Sequence, residues 1–156
     1  MTAARLFKAV AALYVIFALG HTAGFLLFVA PTAQARAAFE AMRVATFQVG
    51  PQTFSYAGFY RGFGLTVTFL LLLCAALAWI LAGIVDRGES SAKPLTWSLA
   101  LVQCAVLVTS LTYFGLPPIV LSVAILLLIA AAGTRISGHD LEDARRKTGP
   151  QSSQSQ

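Results

Sequence analysis

AVAALYVIFALGHTAGFLLFVA, residues 9–30, decides the fold. It contains no Asp, Glu, Lys or Arg, and a helix needs about 20 apolar residues to cross a hydrocarbon core. A secretory signal core usually has only about 7–15. The basic start and Ala33-Gln34-Ala35 imitate a cleavable leader, but the run is too long for one and reads as a retained first span. Near its centre stands His21, an ionisable side chain that is costly at that depth unless it faces protein or trapped water.

Three further runs of spanning length follow, at about Leu65–Val85, Leu95–Gly115 and Pro118–Ile136. The chain has 156 residues, of which 58% are hydrophobic and 11% charged, and the apolar residues cluster in blocks instead of alternating with polar ones. No water-soluble domain of this size could bury that surface. The expected class is an all-α integral membrane protein: a four-transmembrane-helix bundle over residues 1–136, with a short amphipathic outer helix between spans 1 and 2. Residues 137–156 read as a polar, disordered cytoplasmic tail, with a charged helical turn or two before a Ser/Gln-rich end. His139, Asp140, Glu142 and Asp143 lie there beside Arg145, Arg146 and Lys147, and this mixture reads as a solvated helix and not as metal ligands.

The formal charge of +5 follows membrane topology and does not suggest nucleic acid. With the N-terminus inside, Arg5, Lys8, Arg87, Lys93, Arg135, Arg145, Arg146 and Lys147 all lie on the cytoplasmic side, and only Arg36, Arg43 and Arg61 lie outside. That predicts a multi-pass protein of the cell membrane with both termini cytoplasmic. Cys74 and Cys104 fall within spans, with no C-x-x-C spacing. They read as small packing residues.

Residues 31–60 are too long for a simple turn and too aromatic for a flexible linker. Pro31 and Pro51 punctuate the segment, and Gln34–Gln48 reads as a helix with Phe39 and Met42 on an apolar side and Arg36, Glu40, Arg43 and Phe47 at 4-3-4 spacing on another. Such a helix would lie in the interface or cap the bundle. Arg36 and Arg43 flank Glu40 by one turn each, so the carboxylate could simply tie its own helix together. Alternatively, Glu40 and Arg61 could meet the polar end of an amphiphile above His21.

The second span opens with Ser55-Tyr56-Ala57-Gly58-Phe59-Tyr60-Arg61-Gly62-Phe63-Gly64, the aromatic and arginine content of a membrane edge. Gly58/Gly62 and Gly20/Gly24 are small-x-x-x-small pairs that let helices approach closely. They could pack on each other, bringing His21 towards Tyr60 and Arg61, or dock a membrane protein partner. Helical spacing aligns Tyr14, Phe17, His21, Gly24 and Phe28 on the first span, and Gln103, Val106, Ser110 and Tyr113 on the third. The span Ser, Thr and Gln residues read mainly as interhelical or backbone hydrogen bonders.

Some chemistries lack their residues. There is one span histidine, so no bis-histidine haem is expected, and no span carboxylate of the kind an antiporter carries. A P-loop, H-E-x-x-H and G-x-S-x-G are absent. No cofactor or metal is expected. The residues Gly20-His21-Thr22 with Gly24, and Phe59-Tyr60-Arg61-Gly62-Phe63-Gly64-Leu65, resemble those of a group of small four-span bacterial membrane proteins, and the overall layout is similar to that of DoxX-like proteins. The resemblance covers roughly residues 5–135. It implies a four-helix fold and directs attention to His21, Tyr60 and Arg61, but it carries no activity.

These readings converge on a protein that binds a membrane lipid or lipophilic small molecule, quinone or isoprenoid-like, in an outward-leaning cavity. His21, Glu40 and Arg61 are the candidates for chemistry, and Tyr14, Tyr56, Tyr60, Gln103 and Tyr113 for ligand contact. One alternative is a cofactor-free enzyme, an isomerase, cyclase or epoxide-opening catalyst, with His21 moving a proton. The other is a structural subunit docking partners through its glycine faces.

Overall fold

The computed structural model describes residues 1–148, and the side chains up to Ile136. The fold is an all-α four-span bundle. Its helices are α1 (Ala3–Leu26), α2 (Ala33–Val44), α3 (Tyr56–Asp86), α4 (Ala92–Tyr113) and α5 (Leu116–Thr148), with strands β1 (Thr46–Val49) and β2 (Gln52–Ser55) between α2 and α3. The helices α1, α3, α4 and the Leu116–Ile136 part of α5 are long and apolar enough to cross a membrane. At 1.5 Å per residue, the 24 residues of α1 span roughly 36 Å and the 31 of α3 roughly 46 Å. The second span therefore begins at Tyr56, well before the apolar run at Leu65. The α5 backbone stays helical past Ile136 to Thr148, while residues 149–156 of the expected tail lie outside the described residues.

The outer surface is apolar, unlike that of a water-soluble protein, and a few polar side chains are buried within a mostly apolar core. Leu101 is 73% exposed, Phe69 65% and Trp79 62%, whereas Thr96, Gln103 and Ser122 are each 0% exposed. Large apolar side chains facing outward and polar ones facing inward suit a lipid solvent, because apolar surface loses nothing there and a polar group does. The chain is a multi-pass membrane protein by this pattern as well as by helix length.

Two compact units divide the chain, Tyr14–Leu73 and Met1–Leu13 with the chain from Cys74 onward. In the first, α2 starts at Thr32, whose hydroxyl accepts the Ala35 N–H at 3.1 Å, a regular N-cap. It ends where Ala45 adopts extended backbone and gives its N–H to Ala41. The expected helix to Gln48 thus stops earlier, and Phe47 belongs to a strand. The Gly50-Pro51 turn is the reason: Gly50 takes φ +58°, and a II′-type hairpin wants glycine first, while proline holds φ negative at the second place. β1 and β2 pair antiparallel with Phe47 opposite Phe54. A lone hairpin is marginal, and this one is fastened by Phe47 against Tyr56 at 5.0 Å and Phe59 at 5.5 Å between ring centroids. Ser55 then caps α3 by accepting the Gly58 N–H at 3.0 Å.

In the second unit α4 packs on α5. Gln103 donates to the Ser122 carbonyl at 3.0 Å, and the Ser110 and Ser122 hydroxyls lie 3.4 Å apart. Buried Ile125, Ile129 and Ala132 continue the α5 face. Gly133 permits the approach, since a Cβ there would lie 3.3 Å from the Thr96 methyl. Pro117 and Pro118 occupy the first turn of α5, where an N–H would find no intrahelical partner. Lys8 reaches Asp86 at 4.0 Å between two half-exposed side chains, a contact worth at most about 1 kcal/mol.

Candidate functional site

The sequence of α2 gives it one apolar edge and one charged edge, and no residue of α2 is buried. Phe39 fastens the helix: its ring meets Phe28 at 5.5 Å and Tyr60 edge-on at 6.4 Å. Between α2, the C-terminal end of α1 and the first turns of α3 lies a cleft of about 460 Å³, within the usual size range of small-molecule sites. Phe25, Phe28, Phe39 and Tyr60 supply aromatic walls. Arg36, Glu40, Arg43 and Arg61 line the same space, so the structure joins Glu40 and Arg61 in one cleft.

The charges there are unequally satisfied. Arg43 contacts Glu40 at 3.5 Å, with both side chains more than half exposed. Arg36, one turn before Glu40, makes no such bond, and among the described residues the side chain of neither Arg36 nor Arg61 has an ion-pair or hydrogen-bond partner. The helix-tying role expected for Glu40 thus involves Arg43 alone. Three guanidinium groups face one carboxylate, leaving two positive charges beside an aromatic wall.

His21 does not line this cleft. Its ring lies 5.3 Å from that of Phe25, which does, and its Nε2 lies 3.1 Å from the Gly64 carbonyl. A carbonyl can only accept, so Nε2 carries the proton and, in the neutral ring, Nδ1 carries the lone pair. Gly64 itself is a close-approach glycine: a Cβ there would lie 3.0 Å from the Phe25 ring.

One turn on, Thr22 lies 2.8 Å from the Ala18 carbonyl and 2.8 Å from the Thr68 hydroxyl, which is in turn 3.2 Å from the Gly64 carbonyl. Two hydroxyl protons serve three contacts, so whenever one threonine gives its proton to the other, one of the two carbonyls receives no hydroxyl. When that carbonyl is Gly64, the His21 proton still satisfies it. The cluster thus binds α1 to α3 at a fixed register.

The remaining expected ligand contacts are dispersed. Tyr56 stacks on Phe47 and is not part of the cleft lining. Tyr14 and Gln103 are fully buried, and Tyr113 is 78% exposed; none of the three lines the cleft. Along the α1 stripe burial falls steadily, from Tyr14 and Phe17 inside, through half-buried His21, to exposed Gly24 and Phe28. The glycine pairs do not pack on each other: a Cβ at Gly20, Gly24 or Gly62 would meet nothing within 4 Å, and one at Gly58 would meet only its own Ser55 cap. Sequence reasoning passed over Phe25, Phe28 and Arg36 as site residues. The signal for Arg36 and Phe28 was their helical spacing with Glu40 and His21, read only as packing or local charge pairing.

Compared with protein-family models, curated proteins and solved structures, the chain matches none.

Proposed function

We propose that this protein binds a lipophilic small molecule with a polar end, of the quinone or isoprenoid kind, in the cleft beneath α2. The observation that carries the reading is the union of Arg36, Glu40, Arg43 and Arg61 with Phe25, Phe28, Phe39 and Tyr60 around one volume. Aromatic walls suit a tail, and charged groups fix the orientation of a head. Retention of a defined lipophile through purification, identified by mass spectrometry, tests it. Phe39→Ala should lose the molecule while the spans stay folded, because no residue of α2 is buried. Equal retention by that variant would place binding elsewhere.

The binding reading is preferred to acid/base catalysis because His21 is bonded to Gly64 and absent from the cleft wall, leaving Glu40 as the carboxyl there. The open surface at Gly20, Gly24 and Gly62 favours, as a second role, a partner membrane helix on that face. The distribution of basic residues supports a cell-membrane location with both termini cytoplasmic.

A further inference from the structure

We infer that the polar end held by this cleft is a lipid-borne phosphate carrying about two negative charges, a phosphomonoester or diphosphate, and not a neutral quinone ring or alcohol. The inference rests on the binding reading above and specifies its ligand class. Arg43 is already engaged by Glu40, while Arg36 on α2 and Arg61 on α3 are unpaired among the described residues and line the same space. A neutral head would leave both guanidinium groups and the surplus of two positive charges without a counterpart. A carboxylate or phosphodiester brings one charge. A phosphomonoester brings about 1.5–2 near neutral pH and three acceptor oxygens, a set that two separate arginines can share. Phe28, Phe39 and Phe25 beside those arginines supply the surface along which the attached hydrocarbon would lie. They favour a phosphate that arrives on a lipid over free phosphate.

The test uses the full chain in phosphatidylcholine nanodiscs, with one-to-one adducts counted by native mass spectrometry. The probes are phosphatidic acid, phosphatidylglycerol, a prenyl alcohol and inorganic phosphate. Phosphatidic acid should bind about tenfold tighter than phosphatidylglycerol or the alcohol, reflecting its additional charge and charge-assisted bonds. Affinity should decline as pH falls through about 6, where the monoester loses its second charge. Arg36→Gln and Arg61→Gln should each weaken binding by about threefold to tenfold, and Glu40→Gln should tighten it by removing the opposing carboxylate and releasing Arg43. The lipid series on the unaltered protein needs no variant to fold.

A prenyl alcohol or phosphatidylglycerol bound as tightly as phosphatidic acid would overturn this inference and leave the lipophile-binding reading standing. Displacement of phosphatidic acid by inorganic phosphate alone would overturn it in favour of a free-anion site. Absence of a one-to-one adduct with every lipid probe would overturn this inference, while a defined lipophile still retained through purification would leave the binding reading standing.

Discussion

Gly64→Ala and Gly62→Ala make a matched pair on one helix with opposite expected outcomes. A Cβ at Gly64 would sit 3.0 Å from Cε2 and Cζ of Phe25 and 3.1 Å from its Cδ2. Carbon atoms prefer about 3.5–4.0 Å, so the ring must retreat by roughly half an ångström or more. Overpacking of this kind costs about 1–3 kcal/mol, partly offset by the gain of up to about 1 kcal/mol from replacing a helical glycine. At Gly62 the new methyl meets nothing within 4 Å, leaving only the gain. Subtracting one variant from the other cancels the shared propensity term, so Gly62→Ala should exceed Gly64→Ala in stability by about 1–3 kcal/mol. Reversible unfolding of each full chain in mixed micelles, followed by circular dichroism, measures that difference. Because Phe25 both lines the cleft and contacts His21, Gly64→Ala should also reduce ligand occupancy, and Gly62→Ala should not. Equal stabilities would refute the close α1–α3 approach at Gly64 and the registry derived from it.

At His21, substitution by Gln retains a donor for the Gly64 carbonyl, so His21→Gln should stay folded and keep ligand binding, whereas His21→Ala should lose about 0.6–1.7 kcal/mol of stability. Proton-dependent turnover lost in His21→Gln with binding intact would instead revive the acid/base reading. Single reporter cysteines in the 31–60 segment and in the 86–94 loop, with Cys74 and Cys104 replaced, should label from opposite sides of the membrane; labelling from one side would end the four-span topology. Amide exchange across Gln34–Gln48 should be slower than in an unstructured loop, and Gly50→Ala, forced into φ +58°, should lose about 1 kcal/mol and speed exchange in β1 and β2. Unchanged exchange there would refute the II′-type turn.

The four spans were legible because each is a continuous apolar block, a signal that needs no tertiary context. Their edges were less legible in hydropathy alone: the Gly- and Arg-containing entry of α3 lowers it, and that start is legible instead in the aromatic and arginine content of the stretch opening at Ser55, one residue before the helix begins. The hairpin escaped notice because its strands have only four residues each, and Phe47 happens to continue the spacing of Arg36, Glu40 and Arg43. Glu40, Tyr60 and Arg61 could be assigned to a common site because the amphipathic segment had to lie near the next span's entry. Tyr14 and Gln103 could not be separated from ligand contacts by spacing alone, since a polar residue facing inward can serve either a cavity or a neighbouring helix. Likewise, a small-x-x-x-small pair tells which helix surface is smooth without telling whether anything rests on it. The glycines that receive a neighbour from another helix, Gly64 and Gly133, belong to neither pair.

The apolar outer surface also fixes how this molecule should respond to temperature. In a water-soluble protein the heat-capacity increment of unfolding comes mainly from wetting apolar groups, and it bends the stability curve into a dome. Here Leu101, Phe69 and Trp79 are already outward-facing in the native fold, and helices separating within a bilayer would exchange neighbours for acyl chains without wetting them. Dispersion contacts and bonds such as Gln103 to Ser122 then carry the association, and neither fades on cooling as hydrophobic burial does. The span region should accordingly follow an almost straight free-energy line with temperature. Curvature should remain only where opening wets the ring contacts of α2 and the hairpin, such as Phe28 with Phe39 and Phe47 with Phe59, giving one short chain two calorimetric signatures.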